Sequence, residues 1–243
     1  MRDWSGKRYW LVGASEGLGR ALALKMSRAG VELVLSARSM ERLEALAAEL
    51  PGRATCVAMD IADRDSVARA WSEVGEIDGM VFLAGVYWPV PATNWDAEAV
   101  ETMFDVNLTG AARVLGHVVP AFVARNAGHI VLTGSLSGFR GLPGAIGYAA
   151  SKAGLYSLAE SLDGDLKDTR VDVQLVNPGF IKTRLTDKND FSMPFIMEPE
   201  PAADIFFQHM CGSRFARSFP TLFSLAFRGS AFLPHGLYRR LFF

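Results

Sequence analysis

Short apolar runs alternate with longer amphipathic stretches along the first 180 residues. "RYWLVG" (8–13) is apolar nearly throughout and predicts a strand. "LGRALALKMSRAG" (18–30) follows with helical spacing and a glycine stop at Gly30. The same two patterns recur. Strands are expected at 31–36, 54–60, 79–85, 129–135 and 171–179. Helices are expected at 40–50, 66–74, about 97–125 and 147–167, the first of these stopped by Pro51-Gly52. The strand runs do not alternate apolar with polar, as is typical of strands covered on both faces. Regular strand–helix alternation then predicts an α/β fold, a doubly wound parallel sheet with helices on both sides. "VDVQLVNPG" is the last clear strand, and the segment 180–243 breaks the pattern. No linker, repeat or low-complexity stretch divides the chain, so 1–243 reads as a single domain.

Composition narrows the setting. Half of the 243 residues are hydrophobic and 21% are charged, which suits a sizeable core. A formal net charge of -1 gives no global pull toward nucleic acid. The two cysteines, Cys56 and Cys211, stand far apart in no metal-type spacing, which argues against a zinc site or a disulfide framework. The opening "MRDWSGKRYW" has no apolar core of signal-peptide length. No stretch reaches the roughly 18 uninterrupted apolar residues of a membrane span. A reducing, cytoplasmic setting is expected.

The loop between the first strand and helix reads "GASEGLG" (13–19). A helix N-terminus offers unpaired N–H groups and a positive dipole end, which suit a pyrophosphate. Glycine lets the backbone turn and approach the phosphates. Gly13, Ser15, Gly17, Leu18 and Gly19 are therefore candidate dinucleotide contacts. The spacing is G-x-x-x-G-x-G, and the plainer alternative is a glycine-rich connection at a crowded crossing. The second strand ends in "LSARS", with Arg38 where a carboxylate would bind the ribose hydroxyls of NAD. A guanidinium there can grip a 2′-phosphate, which favours NADP(H) over NAD(H).

"GYAASKAG" (147–154) places Tyr148 and Lys152 on one helix face at i and i+4. Free tyrosine titrates near about 10, and a nearby ammonium would lower that value. Such a pair can exchange a proton with an alkoxide or alcohol. Ser135, at the end of the fifth strand in "LTGSLSG", offers a hydroxyl to the same oxygen.

Taken together, these residues resemble the short-chain dehydrogenase/reductase family in its compact single-domain branch. The resemblance runs from residue 8 to about 185 through "GASEGLG" (13–19), "MDIAD" (59–63), "LAG" (83–85), "VNLTG" (106–110), Ser135, Tyr148/Lys152 and "NPGFIKT" (177–183). It implies a Rossmann-type fold with a cofactor-binding and catalytic core over 1–179. A variable substrate-lid and aromatic segment would follow over 180–243. Tyr148 would be the general acid/base, Lys152 would lower its pKa and hold the nicotinamide ribose, and Ser135 would polarise the carbonyl. Asn107 would complete a tetrad by holding a water that links Lys152 to solvent. Asp60 and Ile61 would border the adenine, and Ala84 and Gly85 would let the cofactor pass. Pro178, Gly179, Ile181 and Thr183 would line the nicotinamide side. A homodimer or homotetramer through the helices near 100–125 and 147–167 is implied as well.

Some positions depart from the family pattern. Val12 stands where threonine is usual, and Phe82-Leu83 where two asparagines are usual. Glu16 occupies the place of a basic residue common in NADP binders, so that preference rests on Arg38, with Ser15 beside it. His117 and His129 show no partner in the sequence and read as structural.

The tail differs from the rest. Nine of the 16 phenylalanines fall in 206–243, and from Asp204 onward five arginines face one acid, a local charge of +4. This mixture fits an apolar wall for a long lipophilic substrate, a subunit contact, a peripheral membrane contact, or packing on its own domain. No nucleic-acid module accompanies it. The function expected is NADP(H)-dependent interconversion of a ketone or aldehyde with an alcohol by Tyr-Lys-Ser catalysis, on a lipophilic small molecule. The alternatives are a cofactor-binding sensor with little catalysis, an NAD-dependent alcohol dehydrogenase, and isomerase or dehydratase chemistry on the same scaffold.

Overall fold

A computed structural model of the chain describes residues 2–188 and 192–242. The strands are β1 (Arg8–Val12), β2 (Glu32–Ala37), β3 (Ala54–Ala58), β4 (Gly79–Phe82), β5 (Gly128–Thr133), β6 (Val171–Pro178) and β7 (Ala216–Phe219). All pair in parallel in one sheet of order β3-β2-β1-β4-β5-β6-β7. The order reverses between β1 and β4, so a crevice opens there beyond the strand ends, the usual ligand position in such sheets.

Successive β1 residues serve two cores, because side chains alternate across a strand. Trp10 and Val12 pack with α3 (Arg64–Val74), α5 (Gly110–Arg125) and α6 (Ile146–Leu166). Tyr9 and Leu11 pack on the other face with α1 (Gly17–Arg28), α2 (Met40–Glu49) and α7 (Pro199–Met210). Burial on both faces accounts for the unbroken apolar runs of the sequence. Capping residues fix where helices begin. Ser39 accepts from the Arg42 amide to start α2, Asp63 from the Asp65 amide to start α3, and Asp96 from the Ala99 amide to start α4 (Ala97–Phe104).

Each strand and helix expected before residue 180 is present, with ends shifted by a few residues. The strand expected over 79–85 stops at Phe82. The Leu83 and Ala84 amides both donate to the Val12 carbonyl, at 2.8 and 2.9 Å, which turns the chain out of the sheet. Phe82 and Leu83 pack into opposite cores, so the loss of the usual asparagines is accommodated by apolar burial.

The tail requires a correction: β6 is not the last strand. β7 pairs with it, and α7, α8 (Thr221–Ser230) and α9 (His235–Phe242) also lie beyond residue 180. Phe206 and Phe219 are fully buried in the α1–α7 core. Phe243 and residues 189–191, which belong to the tail and the lid segment of the sequence reading, lie outside the described residues.

The helical run Ala97–Ala124 is long and apolar enough, by length and composition, to cross a membrane. Its inner face, with Val114, Val118 and Phe122, is part of the sheet core. His129, which showed no partner in the sequence, bridges Tyr9 Oη at 2.9 Å and Gln174 Oε1 at 2.8 Å. Burial holds its imidazole neutral, with its pKa pushed down to about 3.

Candidate active site

The crevice at the β1/β4 reversal holds a cleft of about 420 Å³. Gly13, Ser15, Gly17, Leu18 and Gly19 form one wall, and Arg38, Asp60 and Ile61 stand at the β2–β3 end. Ala84 and Gly85 lie in the middle, and Tyr148, Lys152, Pro178, Gly179, Ile181 and Thr183 complete the far side. Two predicted residues do not line it. Asn107 is fully buried behind it, and Ser135 joins it through a hydrogen bond to the Tyr148 side chain.

The glycines are required by approach as well as by conformation. Gly13 has φ +94°, and a Cβ there would sit 2.5 Å from the Ala84 amide nitrogen. Gly17 has φ +54°, and its Cβ would come 2.8 Å from Thr183 Cγ2, so the walls nearly touch at this point. No side chain caps α1, whose first-turn amides remain available to an anion beside the cleft.

Glu16 had stood against a phosphate at this wall. In the fold its carboxylate is paired with Arg184 Nη2 at 2.6 Å and with Arg42 Nη1 at 3.3 Å. Arg38 makes no hydrogen bond or ion pair among the described residues. Two guanidiniums thus pair with the one carboxylate, and Arg38 lines the same cleft without pairing to it. Arg42 and Arg184 were missed in the sequence. Arg42 was findable as the i+4 neighbour of Arg38, whereas Arg184 is 168 residues from Glu16.

Asn107 sits in a π-helical turn (Asp105–Thr109) between α4 and α5. Its Oδ1 accepts from the Val86 amide at 2.8 Å, and its Nδ2 donates to the Val86 carbonyl at 3.0 Å and Ser151 Oγ at 3.1 Å. Its side chain therefore clamps the chain after β4 to α6. Asp60 does not cap α3. Its Oδ1 accepts from the Ala62 amide and shapes the turn beside the cleft.

Lys152 is 3% exposed and donates to the Thr133 carbonyl at 2.9 Å. That is its one hydrogen-bond acceptor among the described residues, so two of its three N–H donors remain for a ligand. Beside it, Thr133 Oγ1 is buried with no protein partner. A buried ammonium that lines the cleft with donors to spare fits a ligand rich in hydroxyls, such as a ribose. Burial pushes the lysine down to about 8.

The tyrosine corrects one expectation. Lys152 Nζ lies 5.7 Å from the Tyr148 ring centre and its hydrogen bond goes to Thr133. Burial pushes the Tyr148 phenol up to about 12, opposed by the hydrogen bond from Ser135 and reinforced by Tyr87, whose ring meets it edge-on at 5.2 Å. Burial thus favours the protonated phenol, and Ser135 is its direct polar partner.

A doubly wound parallel sheet with a glycine turn at its crossover and a tyrosine–lysine pair beside it is the architecture of a nucleotide-dependent oxidoreductase. The family model described as short chain dehydrogenase matches residues 7–192. An uncharacterized oxidoreductase of Myxococcus xanthus is 37% identical over 245 residues, covering 98% of this chain and 97% of that protein. The 3-oxoacyl-[acyl-carrier-protein] reductase of Thermotoga maritima is 32% identical over 190 residues, covering 75% of this chain and 77% of that one. A short chain dehydrogenase from Burkholderia cenocepacia, solved in complex with NADP, superposes with a TM-score of 0.88 at 25% identity over the full length of both chains. The protein belongs to the short-chain dehydrogenase/reductase family and is an oxidoreductase of that family.

Proposed function

We propose that the protein is an NADP(H)-dependent reductase of ketone or aldehyde carbonyls on lipophilic small molecules. The observation that carries this reading is the Tyr148 phenol, kept protonated by burial and bonded to Ser135, beside a buried lysine with donors to spare. NADPH, when bound, supplies the hydride that adds to the carbonyl carbon. Ser135 Oγ holds and polarises the carbonyl oxygen, and Tyr148 Oη gives that oxygen its proton. The Lys152 ammonium offers its remaining donors to ribose hydroxyls and favours the phenolate that proton transfer leaves behind. Asn107 keeps Val86 and Ser151 in register, and a water between it and Lys152 would return the proton to Tyr148.

The preference for NADP(H) is supported by Arg38 just after β2, by Arg42 in the first turn of α2 and by neutralisation of Glu16. It is supported too by solved relatives holding NADP or NADPH, the latter a Sphingobium yanoikuyae enzyme at 25% identity and TM-score 0.84. Replacing Arg38 by Asp removes a charge-assisted phosphate contact and adds repulsion. The NADPH-to-NADH ratio of kcat/KM is expected to fall about a hundredfold. An unchanged ratio would take Arg38 out of the account.

The lipophilic substrate is supported by an aromatic cluster that includes Phe180, the chain neighbour of the cleft residues Gly179 and Ile181. Phe223 meets Phe180 at 5.9 Å, Phe195 at 5.6 Å and Phe227 at 4.9 Å. A cytoplasmic homo-oligomer built on the outer faces of α5 and α6 completes the reading.

The two shifted groups give opposite pH profiles. A neutral phenol, needed for reduction, is present at all pH values below about 12, while the Lys152 ammonium is lost above about 8. Carbonyl reduction should therefore hold level through the neutral range and decline above about 8. Alcohol oxidation needs the phenolate and should rise with pH over the same range. Rates in both directions across the pH scale test this, and a reduction rate that climbs with pH would sink the acid role of Tyr148.

A further inference from the structure

Two short helices end the described chain, and both rest on the loop that links Ser135 to α6. Tyr238 Oη, on α9, donates to the Gly141 carbonyl at 2.7 Å. The Arg140 guanidinium lies 3.9 Å over the Tyr238 ring and donates to the Leu233 carbonyl at 2.9 Å and to the Ser230 carbonyl. On α8, Ser224 and Ser230 are buried and Phe223 and Phe227 point to the aromatic cluster, so its inner face is defined.

The outer faces carry large apolar side chains. Leu222 is 76% exposed, Leu225 57%, and Phe232, in the turn between the helices, 90%. Leu237 and Leu241 continue this on α9, one turn apart. Phe195, packed beside Phe223, and its neighbour Ile196 are exposed as well. Among these stand Arg228, Arg239 and Arg240, all exposed. No acidic residue follows Asp204, although the chain as a whole has a net charge of -1.

We propose that the outer face of α8, α9 and the turn between them docks on the surface of an anionic lipid bilayer. Amphipathic helices with leucine and phenylalanine on one face and only cationic charges around it lie in the headgroup region, where apolar burial and electrostatic attraction act together. A second copy of the chain fits this face less well. A two-fold contact is self-complementary and would bring these arginines against their own copies with no acid on either helix to pair them. Docking sets the Phe180–Phe195–Phe223 cluster at the bilayer boundary. The inference does not depend on the reductase reading, since its readout is binding.

The test is flotation of the full chain with vesicles of phosphatidylcholine alone and of phosphatidylcholine mixed with phosphatidylglycerol. Binding is expected to the mixed vesicles, weakly to phosphatidylcholine, and to weaken in high salt. The pair Arg239→Gln and Arg240→Gln should lower partitioning about thirtyfold. The pair Leu225→Asp and Phe232→Asp should abolish it while leaving thermal stability and NADPH binding unchanged. The proposal is overturned if the unmodified chain stays in the aqueous phase with mixed vesicles. It is overturned equally if both pairs bind as the parent does, or if the Asp pair instead dissociates a dimer in sedimentation.

Discussion

Tyr148→Phe lowers the rate of carbonyl reduction by about a thousandfold or more, the scale expected when a positioned general acid is removed. Only the phenol oxygen is lost. The ring keeps its edge-on contact with Tyr87 at 5.2 Å, so the site does not collapse. Lys152 keeps its bond to the Thr133 carbonyl, because that bond does not involve the tyrosine. NADPH affinity should accordingly stay within about threefold, less than 1 kcal/mol. Thermal unfolding should shift by no more than a few degrees. Single-turnover kinetics with NADPH binding measured alongside separate the two effects. A variant that turns over at the parental rate would remove Tyr148 from the mechanism. A variant that loses activity and NADPH binding together would point to a structural role.

Gly13→Ala is the largest expected effect on the fold. Its φ of +94° disfavours any side chain, a cost on the order of 1–2 kcal/mol. The added Cβ would lie 2.5 Å from Ala84 N and 2.7 Å from Ala84 Cα, which are backbone atoms. They cannot retreat freely, because the Leu83 and Ala84 amides are bonded to the Val12 carbonyl. Overpacking against fixed backbone adds to the strain, for a total of about 3–5 kcal/mol. The melting temperature should fall by about 10 °C, and NADPH binding should weaken with the displaced loop. Gly116→Ala is the control. Gly116 is exposed inside α5 with nothing within 4 Å of an added Cβ, so that change should stabilise by about 0.5–1 kcal/mol. Equal melting of the Gly13 variant and the parent would contradict the close-approach argument.

The central strands were legible because burial on both faces gives nearly unbroken apolar runs, and β3, where only Val57 is buried, was legible from its place in the strand–helix alternation. β7 was not, because "ARSF" places Arg217 and Ser218 in a four-residue edge strand of which only Phe219 is fully buried. Its pairing with β6 is a long-range fact that no local pattern carries. Motif spacing placed the glycine loop, Tyr148 and Lys152 on one cleft, and the fold puts them there. Three features escaped. The i+4 spacing of Tyr148 and Lys152 suggested a lowered phenol, but spacing does not reveal burial, and burial wins. Glu16 looked adverse to a phosphate, and only the tertiary fold brings Arg184 and Arg42 onto it. Asn107 was visible as a motif residue, but its partners Val86 and Ser151 were not.

The most direct test of the central claim is NADPH consumption by the purified protein, with the alcohol product quantified, against carbonyls graded from short and polar to long and lipophilic, and NADH in parallel. The account predicts one alcohol formed per NADPH oxidised, rates that rise with chain length, and slower turnover with NADH. Tight NADPH binding with no consumption across the series would contradict it, and would leave a cofactor-binding sensor as the better description.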